Sequence, residues 1–313
     1  MLKSTFAESS LIIVGILIPL LVVPQLLEVF HIVAAIFAGI GACEVMRLSE
    51  SEKKYSWRIK IIIIIATLLV YVSGLGLWQS LTFEIGFDQD AVTLVFNSQV
   101  SFALILTSVL LQLSLLVFSK DFDARDIGKS FAASFYVGLG VASIVALRGL
   151  GIRYVVYLFI ITILTDVFAY VYGMLFGNHK MIERISPKKS WEGAIGGTII
   201  GTLVATLFAF MFGSLFTGSL NDGNYKTIFD NFADFTTYES WVQFLIIFGV
   251  SLIASIMSQI GDLVASKLKR TYDVKDFGTI FPGHGGFLDR FDSAIYTSML
   301  LLAIFLVLSK VIA

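Results

Sequence analysis

Residues 60–79 read KIIIIIATLLVYVSGLGLWQ, with no charged side chain after Lys60. A run this long and apolar predicts a helix crossing hydrocarbon, because about 20 residues rising 1.5 Å each match the core of a bilayer. Comparable runs occur near 10–27, 29–48, 92–118, 130–149, 152–177, 193–217, 241–265 and 292–311, giving nine candidate spans. Pro19 and Pro24 interrupt the first, and a tight re-entry is expected after Pro24. Composition agrees. Of the 313 residues, 57% are hydrophobic and 14% charged, against about 25% charged in an ordinary soluble domain. Mean hydropathy is +0.88. The predicted fold class is an all-α polytopic membrane protein, with about nine transmembrane helices around a cytosol-facing polar cavity.

The same numbers exclude other classes. High apolar content with a net charge of -1 excludes disorder. A single cysteine, Cys43, excludes a disulfide scaffold and, with three histidines, disfavours zinc. Lys and Arg total 22 against 23 Asp and Glu, so no nucleic-acid partner is expected. No cleavable signal peptide is expected either.

With nine spans, 18 of the 22 basic residues fall on the side of the N-terminus. The positive-inside rule makes that side cytoplasmic, and a bacterial plasma membrane is the expected location. Residues 1–150 are read as about five N-terminal helices. Residues 151–313 are read as the helices that carry the chemistry, within one integrated membrane domain.

Residues 261–293 read GDLVASKLKRTYDVKDFGTIFPGHGGFLDRFDS, with five aspartates, five basic residues, His284 and five glycines. So many polar groups beside apolar helices imply a water-filled cavity rather than a lipid-facing surface. If the preceding helix continues to about Arg270, then Asp262, Ser266, Lys269 and Arg270 share one face, at i, i+4, i+7 and i+8. Asp289 and Asp292, at i and i+3, share a face of the next helix. The loop between them, Pro282 to Gly286, can turn amide groups toward an anion. Two carboxylates on separate helices suit magnesium, which takes one or two of them plus water and phosphate oxygens. Lysine and arginine nearby suit a polyphosphate. This chemistry is metal-assisted phosphoryl or nucleotidyl transfer at a membrane surface.

A second group precedes it. Asp166 lies within a span, about 16 Å from its cytoplasmic end. With Tyr170, Gly173 and Gly177 it forms one face, and Gly173-x-x-x-Gly177 allows close helix packing. The loop SPKKSWEG, residues 186–193, offers Lys188 and Lys189 to a phosphate. Ser190 is placed to cap a helix starting at Trp191, with Glu192 in its first turn. Glu44 is a third signal, equally readable as a partner of Arg47 at i+3. His179 and His31 are read as surface or packing residues.

These residues resemble the signature of the phosphatidate cytidylyltransferases, the CDP-diacylglycerol synthases. The matching positions are Ser266-x-x-Lys269-Arg270, Lys275-Asp276-x-Gly278, Pro282-Gly283-His284-Gly285-Gly286 and Asp289-Arg290-x-Asp292. Upstream, Asp166-x-x-Ala169-Tyr170-x-x-Gly173-x-x-x-Gly177 and Ser186 to Gly193 also match. Ser190 stands where threonine is common, which keeps the hydroxyl. The resemblance covers roughly 160–295; earlier residues agree only in hydropathy and in Glu44.

The resemblance implies that CTP and phosphatidic acid are joined, giving CDP-diacylglycerol and pyrophosphate, with Mg²⁺ as cofactor and a monovalent cation such as K⁺ beside it. It implies Asp262 and Asp289 as metal ligands. Lys269, Arg270 and Arg290 would hold phosphates. Ser266, Asp292 and the loop with His284, Gly285 and Gly286 would complete the pocket, with Lys275, Asp276, Lys188, Lys189 and Asp166 as further substrate contacts. The lipid bilayer is the expected medium and a homodimer a possible assembly. Alternatives are another CTP-dependent lipid-phosphate enzyme (acting on an isoprenoid-ether lipid or a polyprenol), a secondary transporter using Asp166, and a membrane scaffold.

Overall fold

The computed structural model describes residues 23, 26–84, 97–216, 224–230, 232–281 and 285–311. Among them, eight helices are long and apolar enough to cross a membrane, so the chain is an integral membrane protein. They are α1, Leu27–Leu48; α2, Trp57–Glu84; α3, Ser98–Phe118; α4, Ala124–Leu150; α5, Ile152–Phe176; α6, Trp191–Phe210; α7, Ser240–Thr271; and α8, Leu288–Val311. They correspond to eight of the nine expected spans; the first, 10–27, lies almost entirely outside the described residues.

Because these helices are apolar all round, small and polar residues show which face turns inward. On α2, Ile59, Ile63, Ala66 and Val70 are buried, while Ile61 and Ile65 face outward. Ser73 donates to the Ser101 carbonyl of α3 at 2.7 Å, and Ser108 of α3 returns a bond to the Ala66 carbonyl at 3.0 Å. On α5, Tyr157 and Thr165 meet Ser251 and Ser255 of α7, each pair at 2.7 Å. Such bonds satisfy hydroxyls that hydrocarbon could not.

Two features extend beyond the apolar runs. As the shared face of Asp262 to Arg270 requires, α7 continues to Thr271, and α8 starts at Leu288, so both carry their aspartates in helical backbone. A small antiparallel hairpin also joins α5 to α6, with β1, Lys180–Ile182, against β2, Ser186–Ser190. Residues 186–190, read as loop, lack the apolar alternation that announces a strand.

One end of the bundle gathers the C-terminal turns of α1, α5 and α7 with the N-terminal turns of α6 and α8. At the opposite end, Tyr154, Phe229, Phe232 and Phe305 form an aromatic cluster, with Phe229 and Phe305 rings 5.4 Å apart. Arg153 stacks 3.8 Å above the Tyr225 ring there.

Candidate active site

The polar end encloses a cavity of about 640 Å³. Four carboxylates line it, Asp166 from α5, Asp262 from α7, and Asp289 and Asp292 from α8. So do Lys180, Lys188, Lys189 and Lys269.

Close packing of α5 on α6 shapes one wall. A Cβ on Gly193 would lie 2.5 Å from the Ala169 carbonyl and 2.9 Å from the Gly173 Cα, both backbone atoms. Only glycine permits that approach. Ser190 accepts from the Gly193 amide at 3.2 Å and so caps α6. Glu192 in the first turn binds His179, Nδ1 to Oε1 at 2.6 Å, which ties the hairpin to the helix. The result fixes Lys189 beside the cavity, where it forms an ion pair with Asp262.

The other wall is α7 against α8. The shared face expected of Asp262, Ser266 and Lys269 is present: Asp262 and Lys269 line the cavity, and Ser266 Oγ donates to Asp262 at 3.4 Å. Lys269 reaches across to Asp289 Oδ1 at 2.8 Å. Asp289 Oδ2 accepts from the amides of Phe277 at 2.8 Å and Gly286 at 2.9 Å. Gly285, at φ 81°, turns the chain into this arrangement. Asp292 is buried and accepts from the Ser293 amide at 2.8 Å. Asp166, ten residues before the end of α5, is reached by the Ser293 hydroxyl at 3.4 Å.

Arg270 turns away instead. It sits one residue before the end of α7, and its guanidinium donates to the Val274 carbonyl at 2.9 Å. Lys275, Asp276 and Arg290 are exposed, and with Arg270 they lie outside the cavity lining. Pro282, Gly283 and His284 lie outside the described residues. Five cavity residues escaped the sequence reading as site residues: Met174, Lys180, Ala194, Gln259 and Ser293. Ser293 follows Asp289 at i+4, a spacing that signals a shared face. Glu44 proves to be a helix cap, with Oε1 accepting from the Phe287 amide at 2.8 Å and Oε2 from Leu288 at 2.9 Å.

Among the described residues, no three acidic, histidine or cysteine side chains converge as a closed metal cage. Asp262 of α7 and Asp289 of α8, on one polar cavity, are the kind of carboxylates that would hold magnesium if water and phosphate oxygens completed its shell.

The model of the cytidylyltransferase family matches residues 7–308. The chain belongs to that family. A phosphatidate cytidylyltransferase of Staphylococcus haemolyticus is 37% identical over 214 residues, covering 68% of this chain and 72% of the relative. One from Staphylococcus aureus is 38% identical over 190 residues, 60% and 63% of the two chains. One from Staphylococcus epidermidis is 35% identical over 190 residues, again 60% and 63%. A family of nucleotidyl-transfer enzymes accords with a cavity lined by both carboxylates and ammonium groups, and a transporter or scaffold reading is set aside.

Proposed function

We propose that this cytidylyltransferase transfers the cytidylyl group of CTP to phosphatidic acid, giving CDP-diacylglycerol and pyrophosphate. The observation that carries the reading is one cavity at the end of a membrane bundle, lined by four aspartates and four lysines. The relatives' activity fits this chemistry.

The phosphomonoester of phosphatidate has its second pKa near 6 by analogy with other phosphomonoesters. It is therefore already a nucleophile near neutral pH, and no strong base is required. Its oxygen attacks the α-phosphorus of CTP; the new P–O bond forms as the bond to pyrophosphate breaks. The obstacle is bringing two polyanions together. Lys189 and Lys269 lie beside the cavity and would neutralise phosphate oxygens, while Lys180 and Lys188 stand at the exposed hairpin to meet incoming charge. Fixed cations of this kind act by electrostatic stabilisation and by holding reactants in line. Asp262 and Asp289 would hold Mg²⁺, which when bound polarises phosphate oxygens and stabilises developing charge. Asp292 and Asp166 would remain for a monovalent ion such as K⁺ on the same acidic wall. Tyr170 and Met174, both exposed on α5, also line the cavity, so the lipid would enter from the bilayer side. CTP would enter from the cytoplasm, in a bacterial plasma membrane with the N-terminus inside.

The test is conversion of radiolabelled CTP and phosphatidate, with Mg²⁺, to a liponucleotide in sealed vesicles. Product in inside-out vesicles and none in right-side-out ones is expected. No liponucleotide from either would overturn the assignment, and equal product from both would overturn the orientation.

A further inference from the structure

The structure assigns Glu44, on α1, as a positioning residue that holds Asp289 in its metal-ready geometry, an assignment that rests on the reading of Asp289 as a metal ligand. Glu44 is 6% exposed and separated from its partners by more than 240 residues of chain. Its two oxygens take the amides of Phe287 and Leu288, at the start of α8. The amide immediately before them, Gly286, goes to Asp289. Three consecutive N–H groups are thus shared between one carboxylate that faces the cavity and one that does not.

The loop is gripped on both sides. A Cβ on Gly278 would sit 2.5 Å from Glu44 Oε1, and one on Gly286 would also collide with the carboxylate. Glycine at both positions lets Glu44 touch the two strands of the loop at once. The amides adjoining those contacts, Phe277 and Gly286, are the two that fix Asp289 Oδ2. Moving Glu44 therefore moves both donors that orient the carboxylate. Groups that orient a metal ligand from behind affect metal affinity or activity by roughly 10- to 100-fold.

The experiment uses the full-length protein in detergent. Mn²⁺ binding is read from the electron paramagnetic resonance of the free ion, alongside turnover and thermal unfolding. The variants are Glu44→Gln, Gly286→Ala and Asp289→Asn. Glutamine presents an NH₂ group to one of the two amides, and alanine puts a methyl where the carboxylate sits. Folded Glu44→Gln and Gly286→Ala proteins are each expected to bind Mn²⁺ roughly 10-fold or more weakly, with kcat falling more than KM for CTP rises. If Asp289→Asn abolishes binding while either folded variant binds as the parent does, the positioning role is wrong. Unfolding of both variants also contradicts it, since Glu44 would then serve the fold alone. Unchanged binding in Asp289→Asn overturns the metal-ligand reading itself.

Discussion

Lys269 and Asp289 join the last two helices through an ion pair of 2.8 Å, with the lysine side chain 11% and the aspartate 5% exposed. Taking both charges out of water is costly, and the pair is favourable only if other hydrogen bonds complete it. The amides of Phe277 and Gly286 do so on the carboxylate side. On the proposed reading, a substrate phosphate would take the ammonium as a cation takes the carboxylate, so that neither charge is left alone.

Substitution of either metal-ligand candidate should remove the chemistry from protein that still folds. Asp289→Asn keeps an oxygen for the two backbone donors, and Asp262→Asn keeps the shape of its side chain. Each is expected to lower turnover of the folded protein at least about hundredfold, in the range seen when charge stabilisation is removed; Asp289→Asn, which leaves the buried Lys269 ammonium unpaired, is also expected to lower the unfolding temperature. Parent-like turnover in a folded Asp289→Asn protein would remove it from the metal site.

Lys189 is expected to act on substrate binding. Its ammonium pairs with Asp262 at the cavity wall. Lys189→Met should lower kcat/KM for CTP roughly 10- to 150-fold, the equivalent of about 1.5–3 kcal/mol for a hydrogen bond to a charged group. Steady-state kinetics on the purified variant check this, and a change below twofold would contradict it.

The α5–α6 contact leaves no room for a methyl group. Gly193→Ala would place a Cβ 2.5 Å from the Ala169 carbonyl, a backbone atom that cannot rotate away. The helices must separate, at about 1–3 kcal/mol for overpacking. A lower unfolding temperature in detergent is expected, together with reduced activity because Ser190 and Lys189 ride on the same turn.

Lys60 provides the contrast. It is paired with Glu50 on the surface, away from the cavity lining. An exposed pair contributes about 0–1 kcal/mol. Lys60→Ala should retain turnover within about twofold, and a large loss would place catalytic residues at the N-terminal end of α2.

The parts of this site that were legible in the sequence are those that share a helix. Asp262, Ser266 and Lys269, like Asp289 and Asp292, follow from helical spacing alone, and the count of long apolar runs fixed the fold class. What crosses between elements was not legible. Glu44 meets α8 through folding of a chain whose local pattern offers an equally good partner in Arg47. Arg270 obeys the periodicity of its neighbours, yet the helix ends at the next residue and frees its side chain to bind Val274. The hairpin is short and polar, held by β1–β2 pairing and by Glu192 on His179, with no alternation to reveal it.

The location of a bound divalent ion tests the central claim most directly. Crystals soaked with Mn²⁺ and a non-hydrolysable CTP analogue, located by anomalous scattering, should show an ion coordinated by both Asp262 of α7 and Asp289 of α8. An ion held away from both carboxylates, or by only one of them, would contradict a metal shared between the last two helices.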